Sequence, residues 1–315
     1  MNTSNTIGKV LRYMSDSDYR FLVNAGKFGF YQNLSDEVYI KRKFKAMMGY
    51  ELDLEHPQTF NEKLQWLKLY DRNPAYTKMV DKYEAKKYVA GVIGDQYIIP
   101  TLGVWDSFDE IDFNALPDRF VLKCTHDSGG IVICKSKKDL DMAAARKKLE
   151  KSLKNDFYLS GREWPYKNVK RRIIAEKYME DDSRADAGDT DLMDYKFMCF
   201  DGKVKCSFVC SERYSGEGLK VTFFDPDWKK LPFERHYPAS KRDIPKPKSY
   251  DLMVELAERL SDAIPFVRVD FYDINGEVFF GELTFYPGGG FEEFSPLEGD
   301  YTLGSWLTLP REKRV

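Results

Sequence analysis

The 315-residue chain reads as an α+β protein, with a mainly helical amino-terminal region followed by two strand-rich units. Three observations carry that reading. Through residues 8–90 apolar residues recur at three- and four-residue spacing, the period of amphipathic helices. From about Tyr97 the pattern changes to short runs rich in β-branched and aromatic residues, bounded by turn signals. Helical stretches at Lys138–Leu153 and Ser249–Ala263 interrupt those runs. The boundaries that follow are 1–94, 95–180 and 181–315.

In order, the spacing predicts helices over Asp16–Ala25, Glu37–Met48 and Phe60–Leu69, broken at Gly26–Gly29, His56-Pro57 and Asn73-Pro74. Thr59 and Glu62 have the spacing of a capping box at the start of the third helix. Lys41, Arg42, Lys43 and Lys45 read as a solvated helix face. Strands follow at Ile98–Trp105, Arg119–Thr125, Ile131–Lys135 and Arg172–Met179, and the polar segment Glu180–Thr190 reads as a mobile loop. Asp194–Phe200 and Lys203–Cys210 form a hairpin turning at Asp201-Gly202, with Leu219–Phe224 beside them. A Pro- and Lys-rich connector at 238–248 leads to the last helix, a hairpin over Arg268–Thr284 and a Gly-rich tail.

Composition excludes several classes. Lys+Arg number 49 against 51 Asp+Glu, so net charge suggests neither a nucleic-acid binder nor a binder of acidic polymers. The five cysteines are odd in number, lie in apolar runs and lack zinc spacing, so they read as buried reduced thiols. The amino terminus lacks the apolar core of a signal peptide, and no run approaches a membrane span. The expectation is a cytoplasmic protein, with peripheral membrane contact left open.

The chemistry-bearing residues sit on strands. Residues two apart share a face, so Arg268 goes with Asp270 and Glu282 with Thr284. Two carboxylates suit Mg²⁺ that arrives with nucleotide phosphates. Whether both pairs face the same way depends on the turn. A two-residue Asn275-Gly276 loop puts the acids on opposite faces, whereas a three-residue loop Ile274-Asn275-Gly276 brings all four side chains together. A metal site therefore predicts the longer loop; the alternative is an ordinary solvated hairpin face. Lys123, inside an apolar strand, needs an anionic partner. The loop His126–Gly130 after it either presents backbone N–H groups to phosphate or is a plain Gly-Gly hairpin. It is not a Walker loop, since no Gly-Lys-Ser/Thr opens a helix. Ile173–Met179 offers a strand edge to an adenine, with Glu176 accepting from its amino group, or is simply a strand terminus. Asp194 and Lys196 share one face of the next strand, and Asp81-Lys82 by itself reads as a surface charge pair.

Taken in order, Asp81-Lys82, Lys123 with its Gly-rich hairpin, Glu176-Lys177-Tyr178-Met179, Asp194-Tyr195-Lys196, Arg268-Val269-Asp270 and Glu282-Leu283-Thr284 resemble the ATP-grasp superfamily across residues 78–290. Three longer strings are similar to the TupA-like ATP-grasp family, which is tied to cell-surface polysaccharide synthesis. They are Phe60-Asn-Glu-Lys-Leu-Gln-Trp-Leu-Lys-Leu-Tyr-Asp71, Lys123-Cys-Thr-His-Asp-Ser-Gly-Gly130 and Gly281-Glu-Leu-Thr-Phe-Tyr-Pro-Gly-Gly-Gly290. They extend the likeness to nearly the whole chain.

The resemblance implies an ATP-grasp fold in which two α+β domains clasp ATP, with 95–180 as the small lid and 181–315 carrying the metal site. It implies that Lys82 and Lys123 contact phosphates, with His126, Ser128, Gly129 and Gly130 closing over them. Glu176, Lys177 and Met179 would hold adenine, the last two through their backbones. Asp194 would bind ribose, and Lys196 would lie beside the phosphates. Asp270 and Glu282 match Mg²⁺ ligands. Thr284 stands where many members carry Asn; its hydroxyl is a shorter and weaker ligand, so it acts through water or does not ligate. Arg268 matches the arginine that steadies the transferred phosphoryl group, which makes Arg268 and Lys196 the catalytic candidates.

The implied reaction is an ADP-forming carboxylate–amine ligation. A carboxylate attacks the γ-phosphate to give an acyl phosphate, and an amine then expels phosphate to leave an amide. The loops at 126–130 and 180–190 would exclude water. The implied substrates are a sugar acid such as a hexuronic acid (free, nucleotide-linked or lipid-linked) and an amine or amino acid, in capsular or cell-surface polysaccharide synthesis. A sugar kinase on the same scaffold and a glycosyltransferase are the competing readings, the latter leaving Lys123 and its hairpin without a role. The tail Phe285–Phe291 would line the acceptor site or is a plain tight turn, and Arg213, Arg235 and His236 face either an acidic acceptor or solvent.

Overall fold

The structure, a computed structural model, describes residues 12–28, 32–181, 192–212, 216 and 218–315. The expected loop over 182–190, and Arg213, lie outside the described residues. Helices α1 (Ser17–Phe28), α2 (Asp36–Met48), α3 (Phe60–Tyr70), α4 (Ala75–Val80) and α5 (Glu84–Ile93) precede the first strand. α1 continues through Gly26 to Phe28 instead of ending at Gly26. α2 is capped by Ser35, whose hydroxyl accepts from Val38 N, and stops at Gly49, whose φ of 84° lies in the left-handed region open to glycine. α3 opens with the reciprocal Thr59–Glu62 capping box. It is buried on nearly every side, so it is a central spine and not a one-faced surface helix.

Strands β1 (Thr101–Trp105), β2 (Phe120–Cys124), β3 (Ile131–Cys134) and β4 (Ile173–Lys177) form a four-stranded antiparallel sheet in the order β1-β4-β2-β3. β1 starts three residues later than the pattern suggested. Asp95–Tyr97 form a short 3₁₀ turn, and Pro100 has no N–H for a ladder. α6 (Met142–Lys154) starts at Met142 because the Asp141 carboxylate accepts from Ala144 N at 2.9 Å. Alternation along β2 then assigns its faces. Phe120, Leu122 and Cys124 pack with Ala145 and Leu149 of α6, which leaves Val121 and Lys123 on the opposite face.

The larger sheet is built from β5 (Asp194–Phe200), β6 (Lys203–Ser211), β7 (Lys220–Phe224), β9 (Phe266–Ile274) and β10 (Glu277–Thr284). These five antiparallel strands lie in the order β10-β9-β5-β6-β7. The β5–β6 hairpin turns at Asp201-Gly202, with φ of 47° and 76°, the mirror-image turn its sequence calls for. α8 (Tyr250–Leu260) covers one face, placing Tyr250 5.6 Å from Phe197. The other face is divided. Phe200 and Phe266 lie under Phe60 of α3, with ring centroids 5.9 and 4.9 Å away. Farther along the same face stand Lys196 and Asp194 on β5 and Arg268 and Asp270 on β9, in the register Lys196↔Asp270 and Asp194↔Tyr272. α3 thus buries the apolar end of this face and leaves the charged end as a floor.

The remaining pieces are α7 (Phe157–Gly161), a two-stranded sheet of β8 (Glu234–Arg235) and β11 (Phe294–Ser295), and α9 (Glu298–Trp306). α9 is pinned to the start of α3 by Asp300, which accepts from Asn61 N at 3.0 Å and Asn61 Nδ2 at 2.9 Å. Burial pushes the Asp300 carboxyl up to about 6, against those donors. All five cysteines are free thiols, only Cys210 being partly exposed. The basic cluster of α2 is not uniformly solvated. Lys43 donates to Ser160 O at 2.7 Å and lies 4.6 Å over the Phe291 ring, while Lys41, Arg42 and Lys45 pair with nearby acids. Among the described residues no helix is long and apolar enough to cross a membrane.

Asp300→Ala would leave buried N–H groups at the start of α3 without an acceptor. The expected loss is about 2–4 kcal/mol of unfolding free energy, read from urea denaturation.

Candidate active site

The two sheets face one another across a cleft, and the geometry of its floor starts at the β9–β10 hairpin. Asn275 and Gly276 have φ of 55° and 83°, and Glu277 pairs with Ile274, so the loop is the tight two-residue form. The three-residue loop expected from the sequence is absent. The acids converge nonetheless, because the ladder slips between Phe280 and Leu283. Phe280 pairs with Phe271 and Leu283 with Val269, so Gly281 and Glu282 together oppose Asp270. This bulge supplies the extra residue that the turn was expected to supply, and it swings Glu282 onto the face of Arg268 and Asp270. Gly281 suits the close approach there. A Cβ on it would lie 3.1 Å from Asp270 O and 3.3 Å from Tyr272 Cε2. A glycine within a strand was the signal for the bulge.

The floor is a charge network. Arg268 Nε donates to Asp270 Oδ1 at 2.6 Å and one Nη to Oδ2 at 2.7 Å, while another contact joins it to Glu282 Oε1 at 2.5 Å. Lys196 donates to Asp270 Oδ2 and meets Asp194 Oδ2 at 2.5 Å. Burial works against the cations Lys196 and Arg268, but Asp194 and Asp270 outweigh it at Lys196, and Asp270 and Glu282 at Arg268, raising both. Burial also pushes Asp270 up, against the pull of Arg268 and Lys196; three donor bonds from two permanent cations keep it an anion at neutral pH. Glu282 sits deep but reaches the cleft, its side chain 43% exposed. Burial opposes its ionisation, yet Arg268, Lys196 and Lys82 hold it down at about 2. Thr284 donates its hydroxyl to Glu282 Oε1 at 3.1 Å, so it orients that carboxylate.

The roof comes from α5 and the four-stranded sheet. Val121 of β2 pairs with Glu176 of β4 and Lys123 with Ile174, which puts Lys123 and Glu176 on the cleft face. Glu176 meets Lys123 Nζ and Lys86 Nζ at 2.5 Å each. Burial would raise this carboxyl, but the two lysines lower it. Lys86 also donates to Ile99 O at 2.6 Å, and its burial lowers it despite Glu176. Lys82 donates to the Asp127 carbonyl; burial lowers it, with Glu282 and Asp127 pulling the other way. The inner cleft has a volume of about 270 Å³ and is lined by Lys82, Lys86, Lys123, Ser128, Gly130 and Glu176 above, and by Asp194, Asp270, Tyr272 and Glu282 below. It opens into a mouth of about 1690 Å³ where Lys177 and Met179 stand opposite Met193 and Asp273.

Not every residue singled out in the sequence faces this space. His126 is turned away: its Nε2 lies 3.1 Å from Ser152 O and 3.2 Å from Asn155 O at the end of α6, and burial lowers its pKa. Those two acceptors assign the proton to Nε2. Gly130 is set by packing, since a Cβ there would collide with Ser152 and Cys124. Asp127 knits the loop, accepting from Gly130 N at 3.1 Å and from Ser152 Oγ. Gly129 is exposed at the loop tip. Lys86, Tyr166 and Tyr272 line the cleft without having been singled out. Tyr272 lies two strand residues beyond Asp270, so strand period marked it, whereas Lys82 lies before α5 and its spacing to Lys86 did not. Tyr166 had no such signal.

The floor offers only hard oxygen donors, of the kind Mg²⁺ takes. Asp270 and Glu282 lie across one ladder step, and among the described residues the buried Asp194 Oδ1 accepts no hydrogen bond. Among the described residues no three His, Cys, Asp or Glu side chains form a closed cage. The arrangement fits a metal carried in with phosphate oxygens, because Mg²⁺ is commonly held by one or two carboxylates plus substrate phosphates.

A sequence-family profile described as TupA-like ATPgrasp matches residues 62–308. No curated protein matches the chain. Among solved structures, the chain is similar to the ATP-grasp ligase PsnB complexed with minimal precursor, at 10% identity over 68% of this chain and 55% of that one, with a TM-score of 0.38. It is similar to a D-alanine–D-alanine ligase from Bacillus anthracis, at 15% identity over 74% of this chain and 61% of that one, TM-score 0.38. A D-alanine–D-alanine ligase from Helicobacter pylori gives 16%, 79%, 69% and 0.39 in the same order. The chain thus spans less than two thirds of the length of that PsnB chain and of that Bacillus anthracis ligase.

Gly281→Val would force β10 away from Asp270 at the bulge. The expected cost is about 1–3 kcal/mol in urea unfolding, with a smaller loss for Gly281→Ala. Glu176 makes a second, pH-dependent prediction. Its folded carboxyl is depressed, so the stability it contributes is present above the ordinary glutamate value of about 4.3 and is lost as pH falls through the lower folded value. Glu176→Gln should flatten the acid limb of stability against pH, measured by denaturation in buffers below pH 5.

Proposed function

We propose that this chain, which belongs to the TupA-like ATP-grasp family, is an ATP-dependent ligase that joins a sugar carboxylate to an amine. In this reading the carboxylate is a hexuronic acid, the amine is an amino acid or amino alcohol, and the amide serves capsular or other cell-surface polysaccharide synthesis. The observation that supports it best is the single-faced cluster of Arg268, Asp270, Glu282, Lys196 and Asp194 opposite Lys82, Lys86, Lys123 and Glu176. Acids alone would suit a free cation and lysines alone an anion; alternating them across one cleft suits a polyphosphate with its metal.

The roles follow from position. Lys82 and Lys123 neutralise phosphate oxygens from above, with Ser128 and Gly130 beside them. Lys177 and Met179 hold adenine through their backbones at the end of β4, while Glu176 accepts from its amino group. Asp194 holds ribose. Asp270 and Glu282 ligate Mg²⁺, with Thr284 orienting Glu282. When bound, Mg²⁺ offsets the charge that builds on the transferred phosphoryl group. Arg268 and Lys196 stabilise the same charge from the floor, where Asp270 holds both. The glycine tail after Thr284 borders the acceptor. This reading places the reaction in the cytoplasm, where ATP is available.

Asp270→Asn and Glu282→Gln should each lower turnover about 10²–10³-fold. The assay follows ADP and phosphate release with uronates and a panel of amines, and detects the amide by mass spectrometry. ADP without free phosphate, together with a phosphorylated sugar, would replace the ligase by a kinase.

A further inference from the structure

Tyr166 stands at the inner end of the cleft, away from the mouth. Lys123, Glu176, Asp194 and Tyr272 line both the inner cleft and the mouth, so they mark where the two join. Lys82, Asp127, Tyr166, Asp270 and Glu282 line the inner cleft alone. Tyr166 reaches this space from the 3₁₀ turn Trp164–Asn168, which packs against α4, as β10 does. Met79 and Val80 of α4 and Leu283 of β10 line the same cavity and offer no donor. The tyrosine is held in place at both ends. Its carbonyl accepts from Val169 N at 3.3 Å, and its ring meets Phe157 edge-on with centroids 4.7 Å apart.

That packing leaves the hydroxyl unexplained. An enclosed phenol ordinarily finds a hydrogen-bond partner. Among the described residues the Tyr166 hydroxyl makes no hydrogen bond. The cations of the cleft are committed: Lys82 to the Asp127 carbonyl, Lys123 to Glu176, and Lys196 and Arg268 to Asp270. A ligand oxygen must compete with a protein oxygen for each of those donors, but it takes the Tyr166 O–H without breaking any bond. Burial raises the phenol well above its ordinary value, Glu163 and Glu282 add to this and Arg268 opposes it, so the group keeps its proton at neutral pH.

Position decides which oxygen it meets. Phosphoryl transfer sets the attacking and leaving oxygens roughly in line, on opposite sides of phosphorus. With adenine at the mouth and phosphates in the inner cleft, ADP departs on the mouth side. The attacking group therefore arrives at the inner end, where Tyr166 stands. We propose that Tyr166 donates its hydroxyl hydrogen bond to the substrate carboxylate that attacks ATP, an assignment that rests on the ligase reading. One carboxylate oxygen forms the bond to the γ-phosphorus as the bond from that phosphorus to the β,γ-bridging oxygen breaks, and ADP leaves with the electron pair. The other oxygen accepts from Tyr166 and becomes the acyl carbonyl. The phenol keeps its proton throughout, so it holds and orients the nucleophile without acting as acid or base.

Hydroxylamine traps an acyl phosphate as a hydroxamate and so reads this step without a specific amine. Wild type and Tyr166→Phe are compared with glucuronate or galacturonate, ATP and Mg²⁺, and AMP-PNP binding to each protein is measured by calorimetry. Phenylalanine keeps the ring against Phe157 and removes only the O–H. The KM for the uronate should rise about 10-fold or more, while the KM for ATP and the affinity for AMP-PNP stay within about twofold. An unchanged KM for the uronate would overturn the assignment while leaving the ligase intact. A loss confined to ATP and AMP-PNP would move the hydroxyl to the nucleotide, and an equal loss for both substrates would reduce it to a support of the fold; either overturns the assignment. If wild type makes no hydroxamate from either uronate, the ligase reading fails, and this assignment with it.

Discussion

Two residues of β10, Gly281 and Glu282, oppose a single residue of β9, Asp270, and the floor of the cleft depends on that extra residue. Strand side chains alternate with a period of two, so an unbroken ladder from the tight Asn275-Gly276 turn would send Glu282 to the far face, against α8. The slip reverses its parity. Arg268 is then flanked by carboxylates from two strands, and Lys196 is flanked by Asp270 and Asp194. A bulge costs a ladder bond and is eased by a residue without a side chain where the strands close up. Gly281 supplies it.

The charges of the cleft are balanced in pairs before any ligand arrives. Above, Glu176 holds Lys86 and Lys123; below, Asp270 holds Lys196 and Arg268. Buried charges without partners would be strongly destabilising, so the acids hold the cations in place. A polyphosphate entering the cleft would exchange with these carboxylates for the same donors. In the proposed reading the roof and floor would then respond to nucleotide together, although they belong to different sheets with separate apolar cores.

The helical region is structural to the site and not an appendage. α3 covers the apolar half of the large sheet through Phe60, and its capping turn is tied to α9 by Asp300. Its far face carries Gln65 and Lys68, which hold the left-handed glycines beyond β10. One helix thus decides where the floor ends and what shape the chain takes beyond it. That dual duty explains why α3 is buried all round, and why its polar side chains are held by bonds as its apolar ones are by packing.

Much of this was legible in the sequence. The strands of the large sheet, the capping box and the Asp201-Gly202 hairpin follow from local period and turn chemistry, which act over a few residues, and the TupA-like ATP-grasp family was suggested by the resemblance of its ordered motifs. The pairing of Lys123 with an acid was likewise forced by its place in an apolar strand. The identity of that acid was not, because Glu176 comes from a distant strand brought alongside by the sheet. The same holds for His126, whose motif position suggested the cleft but whose ring is claimed by α6 carbonyls 26 and 29 residues on. Tyr166 carried no sequence signal at all, since it reaches the cleft only through the fold. Residue order alone sets which elements form and which chemistry they carry. The turn, the bulge and the face that each charge occupies come only with the folded chain, because parity between strands and burial between elements are properties of packing and not of any one segment.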